Sequence, residues 1–168
     1  MINRRNWLAA TGAALAAALT TTWPRPVRAN LPEATQAALR ESDVIYLTPL
    51  KADGAESRCK AEIWFVEDEG AMYLVTSAQA WRARAIAQGL TRARVWVGEF
   101  GTWTDAKDAF RAAPMLETVG SRVTDEQAQA RVLERMGEKY RLSWLVWGPR
   151  FRNGLADGSR VMLQYVPV

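Results

Sequence analysis

Thr76, Ser77, Arg82 and Arg84 lie close enough in the chain to build one anion site. The two hydroxyls end a β-rich run, and the two arginines fall in the first turns of the segment that follows. Hydroxyls, free N–H groups at a helix start and guanidinium forks together suit an anion, above all a phosphate. A plainer reading stands beside this one. Ser77 can cap a helix, and arginine stems can pack along a solvated helix face. What the chain lacks narrows the chemistry further. The 168 residues contain no histidine. That excludes a Ser-His-Asp or Cys-His nucleophile pair and any His-ligated zinc, non-haem iron or haem. Cys59 is the only cysteine, so no intramolecular disulfide forms. Chemistry must come from carboxylates, Lys and Arg, hydroxyls, one thiol, or a cofactor that brings its own.

The elements that must position these residues follow from pattern. A short helix capped by Asn30, with Pro32 in its first turn, is expected to run to about Glu41, then a strand over Val44–Thr48 ending at Pro49. Asp53-Gly54 marks a turn, and 60–66 reads as one strand. Glu67-Asp68-Glu69-Gly70 reads as a solvated acidic hairpin tip, with a return strand over 71–76. A helix over about 78–88 closes at Gly89, and the strand 92–97 alternates Ala93, Val95 and Val97 against Arg92, Arg94 and Trp96. Thr104 is the expected cap of a short helix stopping before Pro114, and 115–119 reads as a strand. Thr124-Asp125-Glu126-Gln127 has the form of a capping box and starts a helix with Val132, Leu133, Met136 and Tyr140 on one stripe. The aromatic stretch 143–151 fits no single pattern, and 161–166 reads as a closing strand. Short strands with helices between them predict an α+β domain with a mostly antiparallel, barrel-like sheet.

The first 29 residues read as an address rather than a fold. Arg4-Arg5 precedes an Ala/Leu-rich run from Leu8 to Leu19, and Val27-x-Ala29 precedes Asn30. That is the form of a cleaved signal peptide, with the paired arginines of the twin-arginine type. The run is shorter than the roughly 20 residues a bilayer span needs, so no stable membrane span is expected. The expectation is export through the twin-arginine machinery to the periplasm, leaving one domain over residues 30–168. The charge follows. The chain carries 22 Lys and Arg against 18 Asp and Glu, and the segment 1–29 holds Arg4, Arg5, Arg25 and Arg28 with no acid. Without those four, 18 bases face 18 acids. The basic bias belongs to the address, and no nucleic-acid partner is expected.

The order of motifs over residues 40–100 resembles the split β-barrel superfamily of pyridoxamine-phosphate-oxidase-like and flavin-reductase-like proteins. The matching pieces are Val44–Thr48, Asp53-Gly54, Ile63-Trp64-Phe65, Met72–Ser77, Trp81–Arg84 and Arg94–Val97. The resemblance implies a split β-barrel with flanking helices, a homodimer, and FMN or a deazaflavin at the subunit interface. It implies Thr76, Ser77, Arg82 and Arg84 as holders of the cofactor phosphate. It also implies Arg58 and Lys60, ahead of the Trp-Phe strand, as contacts to the ring or phosphate. Trp81 departs from the usual pattern at the helix: it either stacks on a ring or wedges the phosphate site shut. Residues 115–168 carry no motif of the superfamily. The function implied is an exported oxidoreductase acting on a small molecule. The alternative is a binding module that keeps the barrel and has lost the cofactor.

Other conspicuous residues have bland readings. Trp144, Trp147 and Phe151 with Arg141, Arg150 and Arg152 read as a core aromatic cluster under snorkelling arginines, against a cation–π pocket. Trp64, Trp96 and Trp103 read as barrel wall. Glu62 reads as an exposed or Arg-paired carboxylate, and Cys59 as an inert thiol.

Overall fold

The computed structural model describes residues 31–168. The expected signal segment lies outside them. The helices are α1 (Glu33–Glu41), α2 (Trp81–Ala87), α3 (Trp103–Ala106) and α4 (Glu126–Ala156), with a single 3-10 turn at Ala109–Ala112. The strands are β1 (Val44–Pro49), β2 (Ala61–Trp64), β3 (Val66–Asp68), β4 (Ala71–Ser77), β5 (Arg92–Val97), β6 (Met115–Val123) and β7 (Arg160–Pro167). They form one antiparallel sheet in the order β2-β1-β5-β6-β7-β4-β3.

The two edge strands are consecutive in sequence, and this closes the sheet. β2 pairs with β1 at one edge and β3 with β4 at the other, with only Phe65 between them. The expected single strand over 60–66 is therefore broken at Phe65, where the chain crosses from one edge to the other. The result is a nearly closed split β-barrel with flanking helices, the α+β class expected. Phe65 cannot join either ladder, yet its backbone is buried and needs partners. Tyr140 of α4 supplies them. Its hydroxyl accepts from the Phe65 N–H at 2.8 Å and lies 2.7 Å from the carbonyls of both Phe65 and Asp43. Lys139 beside it donates to the Ser42 and Phe65 carbonyls at 2.7 and 3.2 Å. One turn of α4 thus pins the seam.

Strand alternation feeds two cores. From β4, Met72 and Leu74 join the barrel interior with Ile45, Leu47, Val95, Leu163 and Tyr165. Tyr73 and Val75 point the other way, under Val132, Met136 and Phe151 of α4. Both faces being covered is why β4 reads as a continuous apolar run. A smaller group of Tyr46, Trp96, Ala106 and Phe110 packs outside β1 and β5. α2 packs on the barrel interior through Ala83 and Ile86.

Several local expectations change. The cap of α4 is Asp125, accepting from the Ala128 N–H at 2.7 Å, not Thr124. The cap of α3 is Thr102, not Thr104, because its hydroxyl meets the Asp105 N–H. β6 runs past Val119 to Val123, because Gly120 lets the strand pass close under the Tyr165 ring. The acidic tip is only partly solvated. Asp68 is buried and held by Arg131 (3.0 Å) and Arg135. Two cations on α4, invisible in the local acidic run, take its carboxylate out of solvent. The stretch 143–151 is helical, part of an α4 that turns at Arg141 (φ 40°) and accommodates Pro149.

Candidate functional site at the corner of β4 and α2

Thr76 and Ser77 end β4, and α2 begins four residues later. Period-two alternation separates the two hydroxyls: Thr76 is buried and Ser77 exposed. Arg82 reaches back from the first turn of α2, and its Nη1 donates to Thr76 Oγ1 at 2.9 Å. Ser77 does not cap the helix. The N-cap position is Ala80, which has no hydroxyl, and Ser77 Oγ instead accepts from the Gln79 N–H at 3.2 Å. That bond tightens the turn and leaves the hydroxyl proton available. Arg84 is exposed, its guanidinium 5.6 Å from the centre of the Trp81 ring.

The corner is rich in donors and short of acceptors. Trp81 Nε1 and Arg82 Nε are buried without a hydrogen-bond partner. Among the described residues no carboxylate lies within ion-pair distance of Arg82 or Arg84. Other arginines behave differently. Arg111 grips Glu56 through two bonds of 3.0 and 2.6 Å, and Arg92 and Arg94 share Glu117. Unmet cationic donors beside an exposed hydroxyl are what an anionic group requires. The residues present fit the phosphate end of a cofactor in that respect.

Arg58 and Lys60 sit on the loop leading to β2. Arg58 is exposed and has no ion pair among the described residues. Lys60 is half-buried, and its ammonium lies 3.8 Å from Asp108. Among the described residues neither side chain forms a hydrogen bond or ion pair with the corner. Burial pushes the Tyr165 phenol above its usual range, the Arg82 cation offsets part of that rise, and Cys59 acts on the same phenol. Cys59 itself is half-buried.

The remaining aromatics are structural. Trp64 stacks on Tyr140 at 4.2 Å, and Trp96 packs edge-on to Phe110. Trp103 is exposed, so it is not barrel wall; its backbone N–H donates to the Glu62 carboxylate at 2.9 Å. Trp144 and Trp147 meet Phe151, with Arg152 and Arg150 over their rings, the core cluster with snorkelling arginines. Two polar features were missed by pattern, the seam pair Lys139–Tyr140 and the Asp68 clamp. Tyr140 lay in plain view on the apolar stripe, and a buried tyrosine hydroxyl usually finds a partner. An open cavity of about 360 Å³ lies beside the seam, lined by Leu39, Arg40, Val66, Glu67, Arg135, Glu138 and Lys139. Its lysine is already committed to the two carbonyls, and burial lowers its pKa.

No family model and no curated protein matches this chain. Solved structures do. HutZ, the haem storage protein from Vibrio cholerae, superposes with a TM-score of 0.57 at 19% identity, over 80% of this chain and 87% of that one. A pyridoxamine 5'-phosphate oxidase candidate from Listeria innocua gives 0.52 at 16%, over 79% and 90%. A FAD-binding protein from Mesorhizobium loti gives 0.52 at 13%, over 81% and 88%. At these identities the likeness is one of fold, and the fold is the split β-barrel.

Proposed function

We propose that this chain is a flavin-class cofactor binder, taking FMN or a deazaflavin by its phosphate at the corner of β4 and α2, and that it serves as an oxidoreductase toward a small molecule. The observation that carries the reading is the donor surplus at that corner: among the described residues Arg82 and Arg84 have no ion-paired carboxylate, and Trp81 Nε1 and Arg82 Nε have no partner. In this reading Ser77 and Arg84 offer the exposed donors. Arg82, fixed by Thr76, supplies the charge behind them. Arg58 and Lys60, on the loop before β2, are the further contacts this reading assigns to the cofactor. Such a cofactor supplies hydride chemistry itself, which suits a chain without histidine. The protein's share is an anchor, a dry wall and polar groups near the ring. Homodimerisation goes with the reading, supported by exposed Met115 and Val119 on the outer face of β6. So do export and a periplasmic site of action, which rest on the first 29 residues.

A second reading is a barrel that binds some other ligand or partner and no flavin. The observation favouring it is that Arg82 Nη1 is already taken up by Thr76, while the Trp81 ring lies 5.6 Å from the Arg84 guanidinium. Fluorescence titration with FMN and with a deazaflavin separates the two. Arg84→Ala weakens binding by about 1.5–3 kcal/mol, the worth of a hydrogen bond to a charged group, and leaves the melting temperature unchanged. Saturable binding by the wild type that Arg84→Ala does not alter removes the phosphate assignment, and no binding at all favours the second reading.

A further inference from the structure

The second half of α4 is apolar on two sides. One side, Trp144, Trp147, Phe151 and Leu155, packs into the core beneath the helix. The other, Leu142, Leu145, Val146 and Pro149, recurs at the same helical spacing and faces solvent. Leu142 is 82% exposed, Leu145 74% and Val146 55%. A helix apolar all round normally belongs inside a protein or against lipid. Here the outward stripe has no cover among the described residues.

The charges around the stripe say what fits it. From Lys139 to Ala156 the sequence holds four cations and no acid. Lys139 is committed to the seam, and Arg141, Arg150 and Arg152 are exposed. Arg150 and Arg152 fall on opposite flanks of the stripe at helical spacing, and their guanidinium groups lie over the Trp147 and Trp144 rings. A second copy docked here would set arginine against arginine. An anionic phospholipid surface meets both demands: acyl chains for the aliphatic stripe and headgroup phosphates for the arginines. An aliphatic stripe flanked by arginines suits the boundary of headgroup and acyl chain. No described helix is long and apolar enough to cross a membrane, so attachment is lateral.

We propose that the outward face of α4 over 142–152 is a peripheral docking surface for an anionic lipid bilayer. The turn at Arg141 separates this half from the half that pins the barrel seam. The surface can therefore engage lipid without disturbing the seam. The proposal is independent of the cofactor reading.

The test is co-sedimentation of the full chain with phosphatidylcholine vesicles and with vesicles of equimolar phosphatidylcholine and phosphatidylglycerol. The expected result is binding to the anionic vesicles only, weakened by salt. Leu142→Asp/Leu145→Asp is expected to lower that binding about tenfold or more, and Arg150→Gln/Arg152→Gln to remove its salt dependence. Both double variants alter exposed side chains, and unchanged melting temperatures verify that they fold. Three results overturn the proposal. One is no binding by the wild type at low salt. Another is binding that the leucine variant leaves intact, which assigns it to another segment. The last is a wild-type oligomer that the leucine variant dissociates, which assigns the face to a second copy.

Discussion

Tyr140 does its work with one oxygen. The Phe65 N–H cannot reach either neighbouring strand, and the Tyr140 hydroxyl is its partner. Tyr140→Phe keeps the ring stack on Trp64 and removes only that oxygen. A buried N–H left unmet costs about 1–3 kcal/mol. The variant is expected to unfold at lower urea with an unchanged m-value, since the surface exposed on unfolding is the same. Glu56 is a second single-residue determinant. The Arg111 guanidinium holds its carboxyl below the ordinary value of 4.5, with a smaller contribution from Arg94. A depressed carboxyl stabilises the fold above its unfolded pKa, and that stability is lost as pH falls through the folded value. Glu56→Gln is expected to cost about 1 kcal/mol near neutral pH, because the pair is partly solvated. The difference from wild type should vanish in strong acid, where both side chains are uncharged. Thermal melts across that acid range are the check; a constant gap would refute the assignment.

At the scale of elements, the sequence was most legible where one rule acted alone. Alternation placed Ala93, Val95 and Val97 of β5 in the interior, and Gly89 closed α2 with a positive φ of 82°. It was least legible where a distant residue decided the outcome. The break at Phe65 depends on Tyr140, 75 positions away, and Asp68 is buried by Arg131 and Arg135 on another element. Neither dependence leaves a local mark. The second half of α4 was obscured for a different reason. Gly148 and Pro149 both signal a break, while Trp144, Trp147 and Phe151 share one helical face, so propensity and periodicity disagree. Tertiary packing settled it in favour of helix. Gly120 of β6 gives an element-scale prediction. A Cβ there would lie 2.6 Å from the Tyr165 ring and 2.9 Å from Ile86 of α2. Gly120→Ala must push Tyr165 or α2 aside, at about 1–3 kcal/mol for overpacking. The expected readout is a lowered melting temperature; a variant as stable as wild type would mean that α2 does not bear on β6.

On the scale of the whole molecule, a barrel closed by two edge strands one residue apart leaves its ends and outer faces free for function. One helix pins the seam, and a shorter one sits on the barrel beside Thr76 and Ser77. The candidate site was legible in part. The order of hydroxyls and arginines is in the sequence, but the Arg82–Thr76 bond and the orphaned donors needed the fold. Arg58 and Lys60 could be assigned only by resemblance, and among the described residues neither forms a hydrogen bond or ion pair with Thr76, Ser77, Arg82 or Arg84. In the proposed reading this barrel holds a flavin-class cofactor. The most direct measurement is the visible absorbance of the purified chain, as isolated and after incubation with FMN or a deazaflavin and removal of unbound dye. A flavin or deazaflavin band that stays with the protein is expected. A chain that remains colourless under both conditions would contradict it.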